Sequence, residues 1–328
     1  MNEYIVNEKS AGERLDKFLT EKTEQTRSQI KRTILDGAIL VNGKEAKVHQ
    51  FLKLGDKVEL QNVKIKMQNH ISKINNQKNK PTLIERVKTF LTDDKSLQPK
   101  IIFKNNDYII LEKPAGLLVH ATDTSTETTL VDWLINKFPE IQKVSDTVSL
   151  QKDDQTYRPG IVHRLDKDVA GLMLIARNQD AFDYFKQQFK LQKINKKYTA
   201  LVHGQIEQDH DTIEFEISRS SQGKRMASHP KGSGKGRPAF TEFDVLDRTQ
   251  KTTLVEITLH SGRTNQIRVH FMALGNPIVG DMVYKVSAFD NKKTTKPLLH
   301  ATKLSFTDQQ GTEQAFESEL PSEFQAPL

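Results

Sequence analysis

Three stretches of the chain bring together residue types able to do chemistry. The first is Gly160-Ile161-Val162-His163-Arg164-Leu165-Asp166-Lys167-Asp168, followed by Gly171-Leu172. An apolar run ends in a carboxylate set among bases. The pattern predicts a buried strand that delivers Asp166 into a tight turn, where flanking cations favour its ionised form. An ionised carboxylate on a rigid strand end suits nucleophilic attack or electrostatic work. The plainer alternative is that Asp166 or Asp168 only shapes the turn. The second stretch is Lys196-Lys197-Tyr198-Thr199-Ala200, with a tyrosine at the start of a strand behind two lysines. Such a ring can stack on a base while its hydroxyl reaches a sugar, or it can simply cover a strand edge. The third is Ser261-Gly262-Arg263-Thr264-Asn265-Gln266-Ile267-Arg268-Val269-His270. A glycine turn opens a helix whose first turn is expected to present Arg263 and Arg268. That arrangement binds phosphate or pairs with a carboxylate, unless the arginines are only solvated.

These stretches need a scaffold, and the sequence beyond Ile101 supplies one. IIFKNNDYIILEKP holds two apolar runs around a polar turn. TLVDWLINKF reads as an amphipathic helix through Leu130, Trp133, Leu134 and Phe138. Phe182, Phe185 and Phe189 form a helical stripe, taken as core. YTALVHG, TIEFEI, FTEFDVL and TTLVEITL read as successive strands, and LHATKLSF as a late one. QIRVHFMALG reads as a helix with Ile267, Phe271 and Leu274 buried and Gly275 at its C-cap. Strands with interspersed helices and no βαβ rhythm predict an α+β domain over residues 101–328 with a largely antiparallel sheet. Before it, residues 1–63 read as a small unit of helices and a hairpin. Leu15, Phe18 and Leu19 share one helix face. Thr26 can cap a second helix with Ile30, Ile34 and Leu35 inward and Gly37 at its end. Asn42-Gly43 marks a tight turn, and LGDKVEL a closing strand. Residues 64–100 are polar and Asn/Gln/Lys-rich, a basic linker in which TLIERVKTFL could form a short helix.

The net charge of +7 and a pI of about 9.2 suggest a polyanionic partner. The excess is uneven. Lys+Arg exceed Asp+Glu by one in residues 1–60 and by six in residues 61–100, and they balance in residues 101–328. Within that balanced part, two stretches carry bases and no acid. Tyr184–Ile206 holds Lys186, Lys190, Lys193, Lys196 and Lys197. Ser218–Pro238 holds Arg219, Lys224, Arg225, Lys231, Lys235 and Arg237. Single-sign runs of this kind fit phosphate contact, with solvated loops as the alternative. The absence of cysteine excludes disulfides, thiolate zinc sites and thiol nucleophiles. No apolar run approaches the ~20 residues of a membrane span, and the N-terminus lacks a signal-peptide core. A mean hydropathy of -0.60 marks a soluble protein, and with no cysteine, signal core or membrane span the expected location is the cytoplasm. GSGKGR is not a P-loop, because His229 and Gly236 stand where glycine and Ser/Thr are required.

Taken together, HRLDKD with GL behind it, KKYTALVHG, GRTNQIRVH with GNPIVGDMVY, and KPAGLLVHAT at Lys113–Thr122 resemble the single-chain, guide-free pseudouridine synthases of ribosomal and transfer RNA. ISRSSQGKRMASHPKGSGKGRPAFTEF is most similar to the subgroup acting on large-subunit ribosomal RNA. The N-terminal unit, with Arg27, Lys31 and Arg32 near one side of its second helix, resembles the α-L RNA-binding module of a small-subunit ribosomal protein. The resemblance implies roles. Asp166 would attack the target nucleotide, Arg268 would hold its carboxylate, and Tyr198 would pack on the target base. Arg164 would fill the stack after the base flips, Ile267 would line the uracil pocket, and Lys113 with Pro114 would support the floor. His163, Lys196 and Arg263 in the same motifs, and Arg27, Lys31 and Arg32 on the module, are expected to meet RNA. Two departures from the family pattern stand out. Val169-Ala170 replace its usual hydroxyl pair, and Asn265 replaces a histidine, which puts neighbouring hydrogen bonds in question. Isomerising uridine breaks and remakes one glycosidic bond without redox change, so no cofactor or metal is expected. The expected partner is RNA, ribosomal or transfer, bound by a monomer without an obligate protein partner or a membrane. The alternative is a weakly active or inactive RNA-binding or ribosome-assembly protein of the same fold. A hydrolase using Asp166 and His163 would explain neither basic stretch.

Overall fold

The computed structural model describes residues 2–8, 10–23, 30, 33–34, 38–47, 50–60, 97–121, 127–146, 158–220, 225–287, 289, 294 and 296–324. The chain divides into two units, Met1–Lys80 and Pro81–Leu328. In the first, β1 (Asn2–Ile5), α1 (Leu15–Lys22), β2 (Ile39–Val41), β3 (Lys44–Glu45) and β4 (Lys57–Leu60) surround one small core. Leu15, Phe18 and Leu19 of α1 face Ile39, Val41 and Val58 in that core, with Ile30 and Ile34 beside them. Asn42 and Gly43 both take positive φ, 54° and 75°, the backbone that a two-residue turn between twisted strands requires. The sheet order is β1-β4-β2-β3. β1 was not anticipated, because a four-residue edge strand carries too little pattern to register. Thr26, Arg27, Lys31, Arg32, Leu35 and Gly37 lie outside the described residues, as does the linker up to residue 96 with its expected helix.

The second unit opens with β5 (Lys100–Lys104), β6 (Tyr108–Lys113), α2 (Leu130–Lys137), β7 (Ala170–Ala176), α3 (Gln179–Lys190) and β8 (Asn195–His203). The short strands β9 (His210–Ile213), β10 (Glu216–Arg219), β11 (Met226–His229) and β12 (Arg237–Pro238) follow. β13 (Thr241–Arg248), β14 (Thr252–Leu259), α4 (Gln266–Leu274), β15 (Leu299–Thr307) and β16 (Glu313–Glu317) complete it. The main sheet runs β5-β6-β7-β15-β8-β14-β13-β9, with β16 added to β15, while β11-β10-β12 form a separate three-stranded sheet. β15 runs parallel to β7, and the other described pairs of the main sheet are antiparallel. The domain is therefore α+β with a largely antiparallel sheet, as its pattern predicts.

The apolar runs are continuous because both faces of the sheet are covered. Ile109 and Leu111 of β6 and Met173 and Ile175 of β7 pack with Leu130, Trp133 and Leu134 of α2. Their alternate neighbours Tyr108, Ile110, Leu172 and Leu174 pack with Phe182 and Phe185 of α3. The period of two along each strand thus feeds two cores. Thr129 and Asp132 begin α2 with a reciprocal capping box.

Four expectations need correction. Residues 161–169 are irregular and not a strand, apart from a bridge between Ile161 and Ile175. TIEFEI divides into β9 and β10, which belong to different sheets. Helix α4 begins at Gln266, so Arg263 precedes it and only Arg268 lies in its first turn. Leu274 at its last position is 37% exposed, because the helix ends there at a left-handed Gly275.

Candidate active site

Asp166 reaches its place on a loop that is held from below. Lys113, the last residue of β6, is fully buried and points its ammonium at three backbone carbonyls. Nζ donates to Pro114 O at 2.8 Å and to Leu117 O and Lys167 O at 2.9 Å. The Gly116 amide donates to the same Lys167 carbonyl at 2.9 Å. Burial draws the Lys113 pKa down to about 7, with Asp168 and Asp166 opposing. Three acceptors are served together only by the three protons of the charged form, so the ammonium is the species the geometry accommodates. Lys113 thus holds the loop that carries Asp166, and its donors are taken. Behind Asp166 the chain enters β7 through Gly171. A Cβ there would stand 2.4 Å from the Ala301 carbonyl oxygen and 2.5 Å from its nitrogen, and φ is +119°. The close parallel approach of β15 therefore demands glycine at this position.

Arg268, on the first turn of α4, directs Nη1 to Asp166 Oδ2 at 3.4 Å. Its main partner is another carboxylate. Nε donates to Asp281 Oδ2 at 2.6 Å and Nη2 to Asp281 Oδ1 at 2.8 Å, a two-pronged pairing with a fully buried acid. Asp281 also accepts the amides of Val283 and Tyr284, each at 2.9 Å. The Tyr284 ring lies 5.1 Å from the guanidinium. Burial opposes the charge on Arg268, but Asp281 and then Asp166 outweigh it and hold its pKa above the ordinary arginine range. Burial is also the largest influence on Asp166. It pushes the carboxyl above the usual carboxylate range, against the pull of Arg268 and Arg164. Of the bases flanking Asp166 in the sequence, Arg164 favours the ionised form as expected, while Lys167 pairs with Glu127 at 2.8 Å.

Asn265 stands immediately before α4 in the left-handed conformation, φ 54° and ψ 25°. Its hydrogen-bond partners fix the amide orientation. Nδ2 lies 3.1 and 2.8 Å from the two Asp166 oxygens, and Oδ1 accepts from the Tyr284 hydroxyl at 3.0 Å. Tyr198, the fourth residue of β8, is buried, and burial followed by the charge of Asp166 raises its phenol pKa. Asp166, Tyr198, Asn265, Ile267 and Arg268 together line a cleft of about 600 Å³.

Arg164, His163, Lys196 and Arg263 also line this cleft. Arg164 is exposed, with Nη1 3.4 Å from Nε2 of the buried His120. The His163 ring is committed to the fold. Its Nε2 accepts the Leu174 amide at 2.8 Å, and it stacks on Phe189 with centroids 4.6 Å apart. Burial, then Lys196, lowers its pKa to about 3, so the ring is neutral, with Nε2 as acceptor and its one proton on Nδ1. Lys196 lies 5.5 Å from the Phe189 ring on the cleft wall, so Phe189 serves the site as well as the core. Arg263 donates from Nε to Pro238 O at 3.0 Å, tying β12 to the cleft rim. The lysine-rich stretch is less single-signed in space than in sequence, since Lys186 pairs with Asp146 and Lys197 with Glu256. The second basic stretch forms β10–β12, where Glu216 accepts from Ser233 and the Gly236 amide. Val169 is buried in the main core and also lines the cleft. Asp281 and Tyr284 were missed as site residues, although both lie in the quoted GNPIVGDMVY.

Comparisons with known proteins agree with this architecture. Residues 107–273 match the family described as RNA pseudouridylate synthase, and residues 13–58 match the S4 domain. An uncharacterized RNA pseudouridine synthase of Aquifex aeolicus is 34% identical over 291 residues, covering 88% of this chain and 80% of that one. One from Bacillus subtilis is 31% identical over 322 residues, covering 97% and 93%. The ribosomal large subunit pseudouridine synthase D of Nitrosomonas europaea is 34% identical over 237 residues, 70% of this chain and 64% of its own. Human RNA pseudouridylate synthase domain containing 1 has the same fold, with a TM-score of 0.53 at 23% identity over 69% of this chain and 85% of its own. The chain belongs to the RNA pseudouridylate synthase family. It is an isomerase that converts uridine to pseudouridine in RNA, joined to an S4 unit. Among the described residues no helix is long and apolar enough to cross a membrane.

Proposed function

We propose that Asp166 is the catalytic carboxylate of this isomerisation and that the substrate is large-subunit ribosomal RNA. The observation that carries the reading is the placement of one carboxylate on the wall of a 600 Å³ cleft, 3.4 Å from an arginine 102 residues further along the chain. The target uridine must leave its stack to enter the cleft, at a cost of a few kcal/mol. Asp166 then attacks the nucleotide or assists glycal formation. The N1–C1′ bond breaks, the uracil turns within the cleft, and C5 bonds to C1′ while C5 loses a proton and N1 gains one. Tyr198 and Ile267 flank the base, Arg268 holds the carboxylate, and Arg164 enters the vacated stack. Lys196 and Arg263 at the rim, with Arg27, Lys31 and Arg32 on the first unit, meet phosphates.

The ribosomal target rests on the names of relatives such as the Nitrosomonas europaea enzyme. Residues 1–63 act as the RNA-binding module, 64–100 as a basic linker and 101–328 as the catalytic domain. The protein works as a cytoplasmic monomer without a metal or a cofactor. The test uses large-subunit ribosomal RNA from a deletion strain, its uridines tritiated at C5, with purified protein in EDTA. Tritium release, and modification mapped to positions unmodified in that strain, are expected. No release from this RNA, with release from transfer RNA instead, would overturn the ribosomal assignment.

A further inference from the structure

Asn265 occupies the N-cap of a nine-residue helix, a place where asparagine ordinarily bonds to the helix's own free amides. Here it makes no such bond. Its backbone turns left-handed, a conformation asparagine tolerates better than most residues, and its side chain faces Asp166. The amide is itself held. Its oxygen takes the proton of the Tyr284 hydroxyl at 3.0 Å, and that hydroxyl accepts the Met226 backbone amide at 2.9 Å. Met226 opens β11, so the chain of donors runs from the small basic sheet through Tyr284 and Asn265 to the carboxylate. The sheet is packed where the chain of bonds needs it. Ile217 and Ala239 share a cluster with Val269 of α4 and Tyr284, and Met226 and Met272 lie against it.

The other groups facing Asp166 are charged, apart from the Tyr198 phenol. Arg268 divides its guanidinium between two carboxylates and gives the better geometry to Asp281. Arg164 acts only through space, and the Asp281 charge opposes. Tyr198 adds a buried phenol. Among these, Asn265 is the group with donor hydrogens within 3.1 Å of both Asp166 oxygens. A neutral donor in this place favours the ionised carboxylate without adding a charge that must itself be desolvated.

We propose that Asn265 is the positioning residue of the catalytic carboxylate, orienting Asp166 and keeping it ionised through a hydrogen-bond relay anchored on β11. This inference rests on the assignment of Asp166 made above. It implies that strand β11 of the basic sheet is coupled to the reacting group by fixed bonds, so that RNA bound along that sheet also steadies the carboxylate.

The test measures kcat, KM and the pH profile of kcat for the full chain and four variants. Asn265→Asp keeps the shape and tolerates the left-handed backbone, but it replaces the donor with a second negative charge. It should lower kcat about 10- to 100-fold, the worth of a hydrogen bond to a charged group. It should also move the acid limb upward by about one pH unit, as a like charge does to a neighbouring carboxyl, with KM within about twofold of wild type. Asn265→His restores a donor and should recover most of kcat. Tyr284→Phe keeps the ring over Arg268 and removes only the hydroxyl, so it should lower kcat about three- to tenfold. Circular dichroism and thermal melting verify that each variant is folded. Unchanged kcat and acid limb in Asn265→Asp, or a raised KM with unchanged kcat, overturns the proposal. Asp166→Asn, measured alongside, separates the two claims. If it turns over normally, the catalytic assignment fails. If it is inactive while Asn265→Asp matches wild type, only the relay fails.

Discussion

A carboxylate proposed to act as an anion, yet largely removed from water, is held at some expense to the fold. Burial raises the Asp166 pKa, so the folded state binds its proton more tightly than the unfolded state does. Ionisation of this group therefore subtracts stability as pH rises through its folded pKa. Asp166→Asn removes the charge and nearly keeps the shape. Turnover should disappear, RNA binding should persist, and the melting temperature should equal or exceed that of wild type, a trade of stability against activity. Substantial turnover by a purified variant, free of wild-type carry-over, would sink the assignment. Asp281→Asn should behave in the opposite sense. It leaves Arg268 buried without its main partner, which costs roughly 3–5 kcal/mol, and a urea titration should show that loss together with reduced activity. The two aspartates differ in how far the sequence revealed them. Asp166, Tyr198 and Arg268 each sit in a short run of unusual residue types. Asp281 lies thirteen residues beyond Arg268, outside its helix and among apolar neighbours, and no local spacing marks the pair. Asn265 could be recognised as a departure but not as a donor, because its role depends on a left-handed backbone that only the fold displays.

At the scale of elements, regular pattern was legible and its interruptions were not. Strands β6, β7, β8, β13 and β14 and helices α2, α3 and α4 follow from apolar periodicity. The loop carrying Asp166 does not. Ile161 and Leu165 are buried, yet residues 162–169 join no ladder, and the Lys167 carbonyl in this loop is bonded by the Lys113 ammonium and the Gly116 amide instead. β11 and β12 were also hidden, since MASH and RP carry little strand propensity. They form because β10 offers its two edges. The contact of β7 with β15 gives a sharp test of the packing. Gly171→Ala places a methyl 2.4 Å from the Ala301 backbone, which no side-chain movement can relieve. The variant should lose more than about 4 kcal/mol or fail to accumulate folded. A soluble Ala variant with wild-type melting would show that the two strands are further apart.

Over the whole molecule, charge and burial are distributed for different purposes. Each unit holds apolar clusters of its own, and the +7 excess lies wholly before Ile101. A chain starting at Gln98 should fold and keep Asp166-dependent activity at high RNA concentration. It should bind more weakly, and its log affinity should fall less steeply with log salt, by ~0.7–0.9 for each phosphate no longer neutralised. An unchanged slope in a salt titration would mean that the first hundred residues are only solvated. Stability should also depend on acid. Burial lowers His120, with help from Arg158 and Arg164, and lowers His270 and His300, each to about 4 from 6.5. Between those values the unfolded chain binds more protons than the folded one, so stability falls as pH falls. Each histidine contributes a slope of up to ~1.4 kcal/mol per pH unit. Urea midpoints taken at about pH 7 and pH 5 should differ accordingly, and equal midpoints would argue that these rings are hydrated.

The position of β15 has a temporal consequence. Asp166 stands at the entrance to β7, Tyr198 lies on β8, and Arg268 lies on α4 beyond β14. β7 and β8 share no ladder, because β15 lies between them. Every side chain given a chemical role is thus synthesised before the strand that joins the two half-sheets carrying them. A nascent chain that has reached residue 298 holds these side chains but not their register, and such non-local pairing closes late. The enzyme is born unarmed. Its last long strand works as a clasp, and RNA near the exit of the ribosome meets no complete cleft until that clasp has shut.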